Sequence, residues 1–228
     1  MSEEDDRAGQ ASFEVAALLL DLDGVLVDSI ATVEQAWREW AEERELDVES
    51  VLVAMHGRPA TEAIRQCAPH LDAVAETERI EQRELDHTDQ VSALPGAAAL
   101  LGELPDGAWA IVTSGTRRLA TARLRATGLS VPEVLITADD VDQGKPAPDP
   151  YLLAADRLAA DPAGCLVVED APAGVAAASA AGMAVVAVTT SHAAGDVADA
   201  DVVVEGVAAL TVSSGADGML LIQAVTAP

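Results

Sequence analysis

The run Leu18-Leu19-Leu20-Asp21-Leu22-Asp23-Gly24 constrains the fold more than any other stretch, because an unbroken apolar segment stops there on two carboxylates spaced i and i+2. A strand buried on both faces reads as a continuous apolar run, which is what a parallel sheet covered by helices requires. In open α/β sheets the reactive groups gather beyond the carboxyl ends of the strands, so a strand ending on Asp-x-Asp-Gly presents acid where a ligand would sit. Gly24 permits the turn that swings Asp23 back over Asp21. Carboxylates this close repel when both are ionised, so the arrangement calls for a divalent cation, a shared proton, or both. Taken alone, the same residues also fit an acidic β-turn.

The rest of the chain agrees with a parallel sheet. From Leu94 onward strand and helix patterns alternate, which predicts right-handed βαβ crossovers. Pro95-Gly96 opens a helix ending near Leu104, and a strand follows over 109–112. A helix over 116–126 is closed by Gly128, and a short strand follows near 134–136. Asp149 as N-cap with Pro150 in the first turn opens the next helix, before a strand over 165–168. A helix over 173–181, a strand over 184–188 and weaker strands near 202–204 and 219–222 complete the series. Residues 30–93 are different. Ile30, Val33, Trp37 and Trp40 recur at helical steps, as do Ile64, Cys67, Ala68 and Leu71, with Glu and Arg between them. This block is a helical insertion after the first strand or a helical domain in its own right, and Trp37 and Trp40 read as its core rather than as a stacking surface. Residues 1–12 read as a disordered acidic tail, and 13–29 with 94–228 as the α/β core.

Composition narrows the function classes. A net charge of −26 over 228 residues argues against nucleic acid and anionic membrane as partners, since both demand a basic patch. An anionic substrate must then find local positive charge or metal. The acidic, polar start lacks the basic, then apolar, order of a signal peptide, and no apolar stretch approaches the about 18 residues of a membrane span. Cys67 and Cys165 lie far apart in unlike contexts and read as free thiols. The expectation is a cytoplasmic protein, a monomer or weak homodimer, that handles a small molecule.

Four strand ends carry chemistry. The first ends on Asp21 and Asp23, and the next on Thr113-Ser114-Gly115. Gln143-Gly144-Lys145-Pro146 follows the third, and the fourth ends on Glu169-Asp170. A parallel sheet brings all of them to one edge, giving a set that suits a phosphomonoester: acids for metal, nucleophile and proton shuttle, a hydroxyl and amides for phosphoryl oxygens, and an ammonium as counter-charge. Lys145 is the only lysine among 13 Lys and Arg residues. A compact point charge kept where Arg is used everywhere else suits contact with both a phosphoryl oxygen and a carboxylate.

DLDGVLVDS, IVTSGT, GKPAPDPY and VVEDAPAG, in that order, resemble the four motifs of the haloacid dehalogenase-like phosphohydrolases. The resemblance implies a Rossmann-like parallel sheet core with a helical cap inserted after the first strand. It implies that Asp21 attacks phosphorus to form an aspartyl phosphate, and that Asp23 protonates the leaving alcohol and then activates water. Thr113, the amides of Ser114 and Gly115, and Lys145 would hold the phosphoryl group. Mg2+ would be held by Asp21, the Asp23 carbonyl, Asp170 and Glu169. The wording around GKPAPDPY and VVEDAPAG is similar to the sugar and polyol phosphatase branch, with β-phosphoglucomutases as near neighbours. His56, Gly57 and Arg58 resemble that branch's cap loop, which sets specificity, though Gly57 and Pro59 also suit a plain interhelical turn. His70, His87 and His192 stand at no zinc-ligand spacing. A sugar-phosphate mutase and an idle phospho-ligand binder are the rival readings. Against the mutase, Val33 stands where the β-phosphoglucomutases have a His, and Ala60 where they have a cap-loop Arg.

Overall fold

The computed structural model describes residues 9–55, 60–215 and 218–226, so His56, Gly57 and Arg58 lie outside the described residues. The chain divides into two units. One takes in the chain up to Asp28 and from Ala93 onward, and the other is Ser29–Ser92.

In the first unit, β1 (Gln10–Val15) and β2 (Ala17–Leu20) are separated by a single residue and enter different sheets. β3 (Val27–Asp28) leads out of this unit. The second unit consists of α1 (Ile30–Glu43), α2 (Val48–Met55), α3 (Ala60–Cys67) and α4 (Ala73–Asp86). The chain returns through β4 (Ser92–Ala93), and α5 (Ala97–Glu103) and β5 (Trp109–Val112) follow. Next come α6 (Arg117–Thr127), β6 (Val134–Ile136), α7 (Asp149–Arg157) and β7 (Cys165–Glu169). α8 (Pro172–Ala180), β8 (Ala184–Val188), β9 (Val202–Val204), β10 (Leu210–Ser214) and β11 (Leu220–Val225) end the series.

The main sheet has the order β6-β5-β2-β7-β8-β9, and every pair in it is parallel. Numbered by their entry into this sheet, the strands run 3-2-1-4-5-6, the doubly wound Rossmann order. Its topological switch point lies beside β2, so the crevice outside the carboxyl ends of β2, β5 and β7 is the place for a ligand. Alternation along the strands sorts the core: Ala17, Leu19, Ala110, Val112, Cys165, Val167, Val185 and Ala187 share a face with Tyr151, Ala154, Val175, Ala177 and Ala178 of α7 and α8. With one Phe and one Tyr in the chain, alanines let these helices lie close on the sheet.

The helical unit has its own core of Ala36, Trp37, Trp40, Val51, Leu52, Ala63, Ile64 and Ile80. Trp37 and Trp40 meet edge to face at 5.7 Å. The buried Glu76 carboxylate accepts the Trp40 indole N–H at 2.7 Å and two Arg44 N–H groups at 3.0 Å, so its burial is compensated. Among the described residues no helix is long and apolar enough to cross a membrane.

The structure corrects two expectations and adds a strand. Residues 10–12 are not tail but the start of β1, which pairs antiparallel with β11 in a small sheet ordered β1-β11-β10. The partner strand lies some two hundred residues away, and Gln10-Ala11-Ser12 carries no apolar alternation of its own, so local sequence could not announce it. β10 was missed for the same reason, since its buried face consists mainly of Leu210. Pro148 rather than Asp149 is the N-cap of α7.

A chain begun at Ala16 would leave β11 unpaired along one side and uncover Ile222 and Ala224, both 0% exposed. We expect its thermal midpoint to fall by roughly 5 °C or more, followed by circular dichroism. An unchanged midpoint would mean that β1 adds nothing to the core.

Candidate active site

Register assembles the site. Leu20 of β2 pairs with Ile111 of β5 and with Val168 of β7, so the residues just beyond each strand emerge side by side. The Asp21 N–H donates to the Val168 carbonyl at 3.0 Å, and the Thr113 N–H to the Ile136 carbonyl at 2.9 Å, which extends the ladders to the tip. Lys145, in the loop before α7, reaches into this tip with its side chain only 6% exposed. Its three N–H donors find Asp21 Oδ1 at 2.5 Å, Glu169 Oε1 at 2.6 Å and the Val112 carbonyl at 2.9 Å. An ammonium has three donors, so its capacity is full. Its Nζ also lies 5.0 Å from the Tyr151 ring centroid.

Glu169 is equally engaged. Oε1 accepts from Lys145 and from the Tyr151 hydroxyl at 2.8 Å, while Oε2 accepts the amides of Asp170 at 2.9 Å and Ala171 at 3.2 Å. Gly174 makes room for it, because a Cβ there would stand 1.7 Å from Oε1. Asp170 lies over the Asp-x-Asp-Gly turn. Gly24 has φ +81°, and a Cβ on it would meet Asp170 Oδ2 at 2.0 Å, so glycine is required for both backbone and space. The Ser191 hydroxyl donates to Asp170 Oδ2 and lies 2.7 Å from His192 Nδ1, and the Thr190 hydroxyl donates to the Gly24 carbonyl. Asp23 pairs with Arg123 of α6, its Oδ1 at 2.8 Å from Nη1.

Carboxylate oxygens of Asp21, Glu169 and Asp170 all lie within 4.8 Å of one another. Burial pushes Asp21 well above the ordinary carboxylate range; Lys145 opposes this, and the charges of Glu169, Asp170 and Asp23 add to it. Burial and the charge of Glu169 push Asp170 up to about 7. Glu169 moves the other way, because the Lys145 charge and its hydrogen bonds outweigh its burial and hold it low. Burial acts against the Lys145 ammonium as well, but Asp21 and Glu169 outweigh it and hold its pKa well above the ordinary lysine value. The ionised pair is therefore Lys145 with Glu169, whereas Asp21 and Asp170 are strained as anions. A divalent cation among hard oxygen donors relieves that strain, so the residues present fit one.

The structure thus brings together Asp21, Asp23, Lys145, Glu169 and Asp170. Thr113 is 4% exposed at the end of β5, Ser114 is exposed, and the Gly115 amide donates to Thr113 Oγ1 at 3.1 Å. Sequence reading gave no role to Tyr151, Thr190, Ser191 or Arg123. Thr190 and Ser191 carried a usable signal, since they directly follow the apolar run of β8 and so occupy a fifth strand end. Arg123 carried a weaker one: an Arg within a helix normally reads as solvent-facing, and only its place on the stripe of Leu119, Ala120 and Leu124 points inward.

Comparison with known proteins agrees with this geometry. A family model described as haloacid dehalogenase-like hydrolase matches residues 15–182. The chain belongs to the haloacid dehalogenase-like hydrolases. Within that family it is similar to hexitol phosphatase A of Escherichia coli (strain K12), with 43% identity over 90% of this chain and 97% of that one. It is also similar to glycerol-1-phosphate phosphohydrolase 2 of Saccharomyces cerevisiae, with 35% identity over 79% and 77%. The crystal structure of β-phosphoglucomutase from Clostridium difficile shares the fold, with a TM-score of 0.73, 24% identity, and coverage of 85% of this chain and 92% of that one.

The raised Asp170 pKa has a definite sign. Its folded value of about 7 lies above the ordinary 3.8, so the folded state binds more protons between these limits and the cost of ionising Asp170 grows as pH rises through them. Asp170→Asn removes that cost. In metal-free buffer we expect the melting temperature of the variant to gain on wild type steadily from about pH 4 to pH 7 and then to level off. A gap independent of pH would show that Asp170 is not strained as an anion.

Proposed function

We propose that the protein is a magnesium-dependent phosphatase of a small sugar or polyol monophosphate, acting through an aspartyl phosphate. The observation that carries this reading is the buried Asp21 carboxylate, held by Lys145 at the switch point beside two further acids. The 43% identity to a hexitol phosphatase, over 97% of that protein, supports the substrate class.

Each residue has work suited to its chemistry. Asp21 attacks phosphorus with the carboxylate oxygen not gripped by Lys145. The phosphorus–oxygen bond to the alcohol breaks as the phosphorus–Asp21 bond forms, and Asp23 gives the departing oxygen its proton. Water, deprotonated by Asp23, then displaces Asp21 from phosphorus and releases phosphate. Thr113, the amides at Ser114 and Gly115, and Lys145 steady the phosphoryl oxygens, for which the Gly115 amide must leave Thr113 Oγ1 and the Lys145 ammonium must turn one donor away from its present acceptors. Magnesium would be held by the carboxylates of Asp21 and Asp170 with the Asp23 carbonyl, and would supply charge neutralisation between phosphate and acids. Glu169, its oxygens taken by four donors, braces Lys145 rather than competing for the metal. His56, Gly57 and Arg58 are proposed as the segment that selects the alcohol.

Hydrolysis is favoured over mutation of a sugar phosphate. Val33 and Ala60, the positions compared with the mutases' His and Arg, both pack against the helical unit's own apolar cluster. Neither side chain donates a hydrogen bond that could hold the phosphoenzyme for a second sugar hydroxyl.

Two measurements test the reading. With magnesium, a screen of some tens of phosphorylated sugars and polyols releases inorganic phosphate, and EDTA abolishes the release. With β-glucose 1-phosphate and its 1,6-bisphosphate primer, phosphate release exceeds formation of glucose 6-phosphate; a tenfold excess of glucose 6-phosphate would establish a mutase instead. Separately, Asp21→Asn loses at least about 10³-fold in kcat while its circular dichroism spectrum is retained. A variant keeping a tenth of wild-type turnover would exclude the covalent route.

A further inference from the structure

Helix α6 turns an inward stripe of Leu119, Ala120, Arg123 and Leu124 toward the core. The spacing asks for an aliphatic side chain at the third of these positions. The chain instead buries a guanidinium there, with 4% of its side chain exposed. A permanent cation on a core-facing stripe is costly unless a partner compensates it, and a hydrophobic residue of similar volume is often as stable or more so. Stability alone therefore does not account for an Arg at this place. What the Arg holds is the Asp23 carboxylate, 2.8 Å away and itself 29% exposed.

We propose that Arg123 is a positioning residue for Asp23, fixing the rotamer from which its carboxyl group serves the leaving oxygen. The proposal rests on the phosphatase reading given above. The backbone around Asp23 is already set, since the Gly24 N–H donates to the Val27 carbonyl at 2.8 Å and Asp23 bridges to Val27. The turn thus fixes where the Asp23 side chain begins but leaves its two torsions free. A charge-assisted hydrogen bond from Arg123 to Oδ1 restricts that freedom. The Thr116 hydroxyl caps α6 at the Leu119 amide, 3.2 Å away, so the helix starts immediately after the Thr113-Ser114-Gly115 segment. One rigid element therefore spans from the phosphoryl-binding strand end to the acid that must meet the leaving group. Misplacement of such an acid by a fraction of its side-chain length is enough to lose most of its effect.

The readout separates positioning from general damage by leaving group. The ratio kcat/KM covers steps up to departure of the alcohol, and a nitrophenolate leaves without a proton whereas an alkyl alcohol requires one. Arg123→Met and Arg123→Lys are compared with wild type on p-nitrophenyl phosphate and on glycerol 1-phosphate or sorbitol 6-phosphate, whichever wild type hydrolyses faster, with magnesium present. We expect Arg123→Met to lose roughly 10²-fold in kcat/KM on the alkyl ester, at least ten times its loss on the aryl ester. Arg123→Lys recovers part of the alkyl loss. Equal losses on the two esters, or an alkyl rate unchanged or raised, would overturn the proposal. If Arg123→Met lacks a cooperative melt, the same ratio measured on Arg123→Lys decides. A wild type inactive on both esters would overturn the phosphatase reading, and the role of Arg123 with it, an outcome distinct from equal losses in the variants.

Discussion

The buried ammonium of Lys145 is the interaction on which the rest of the site depends. It binds Asp21, Glu169 and the end of β5 at once, and so joins three strand ends through one charge. Without it Asp21 and Glu169 would lose the cation they share in a low-dielectric crevice, and removing one partner from a buried ion network commonly costs about 3–5 kcal/mol. The surrounding parts follow from this. Tyr151 supplies a hydroxyl to Glu169 and a ring near Nζ, and Gly174 leaves space for the Glu169 carboxylate.

The same charge resolves a difficulty of composition. With a net charge of −26, the molecule repels the anionic substrates its family handles, and surface attraction cannot bring them in. Positive charge is instead concentrated where it acts. Lys145 neutralises Glu169, while Asp21 and Asp170, raised by burial and mutual repulsion, are left in need of a cation. The acids at the strand ends therefore fit a divalent cation. Relief of the strain in the two acids is what would favour a cation there.

Order in the site is imposed from behind by elements with no chemistry of their own. The register of β2 against β5 and β7 is fixed by apolar side chains that alternate between two buried faces, and a slip of one residue would turn every one of them over. The spacing of the site's acids is thus inherited from core packing. Ser191 and Thr190 at the end of β8 reinforce it by fastening Asp170 and the Gly24 carbonyl. The role proposed for Arg123 extends the same logic to the one acid that is partly open to solvent.

By itself the sequence determined the parallel core, the helical insertion and the residues at four strand ends, because each rests on local patterns: apolar runs, helical spacing, and turn residues next to acids. The strands at 109–112 and 184–188 could be read to the residue, since they are buried on both faces and bounded by turns. Only the tertiary structure decided the rest, and in every case the cause is a partner distant in sequence. β1 exists because β11 pairs with it, Tyr151 matters because α7 lies beneath Glu169, and Arg123 is buried because α6 turns it toward Asp23. Which of the acids is braced and which is strained was likewise invisible in the chain. That depends on how many donors each carboxylate meets once the strand ends converge, and no spacing between residues records it.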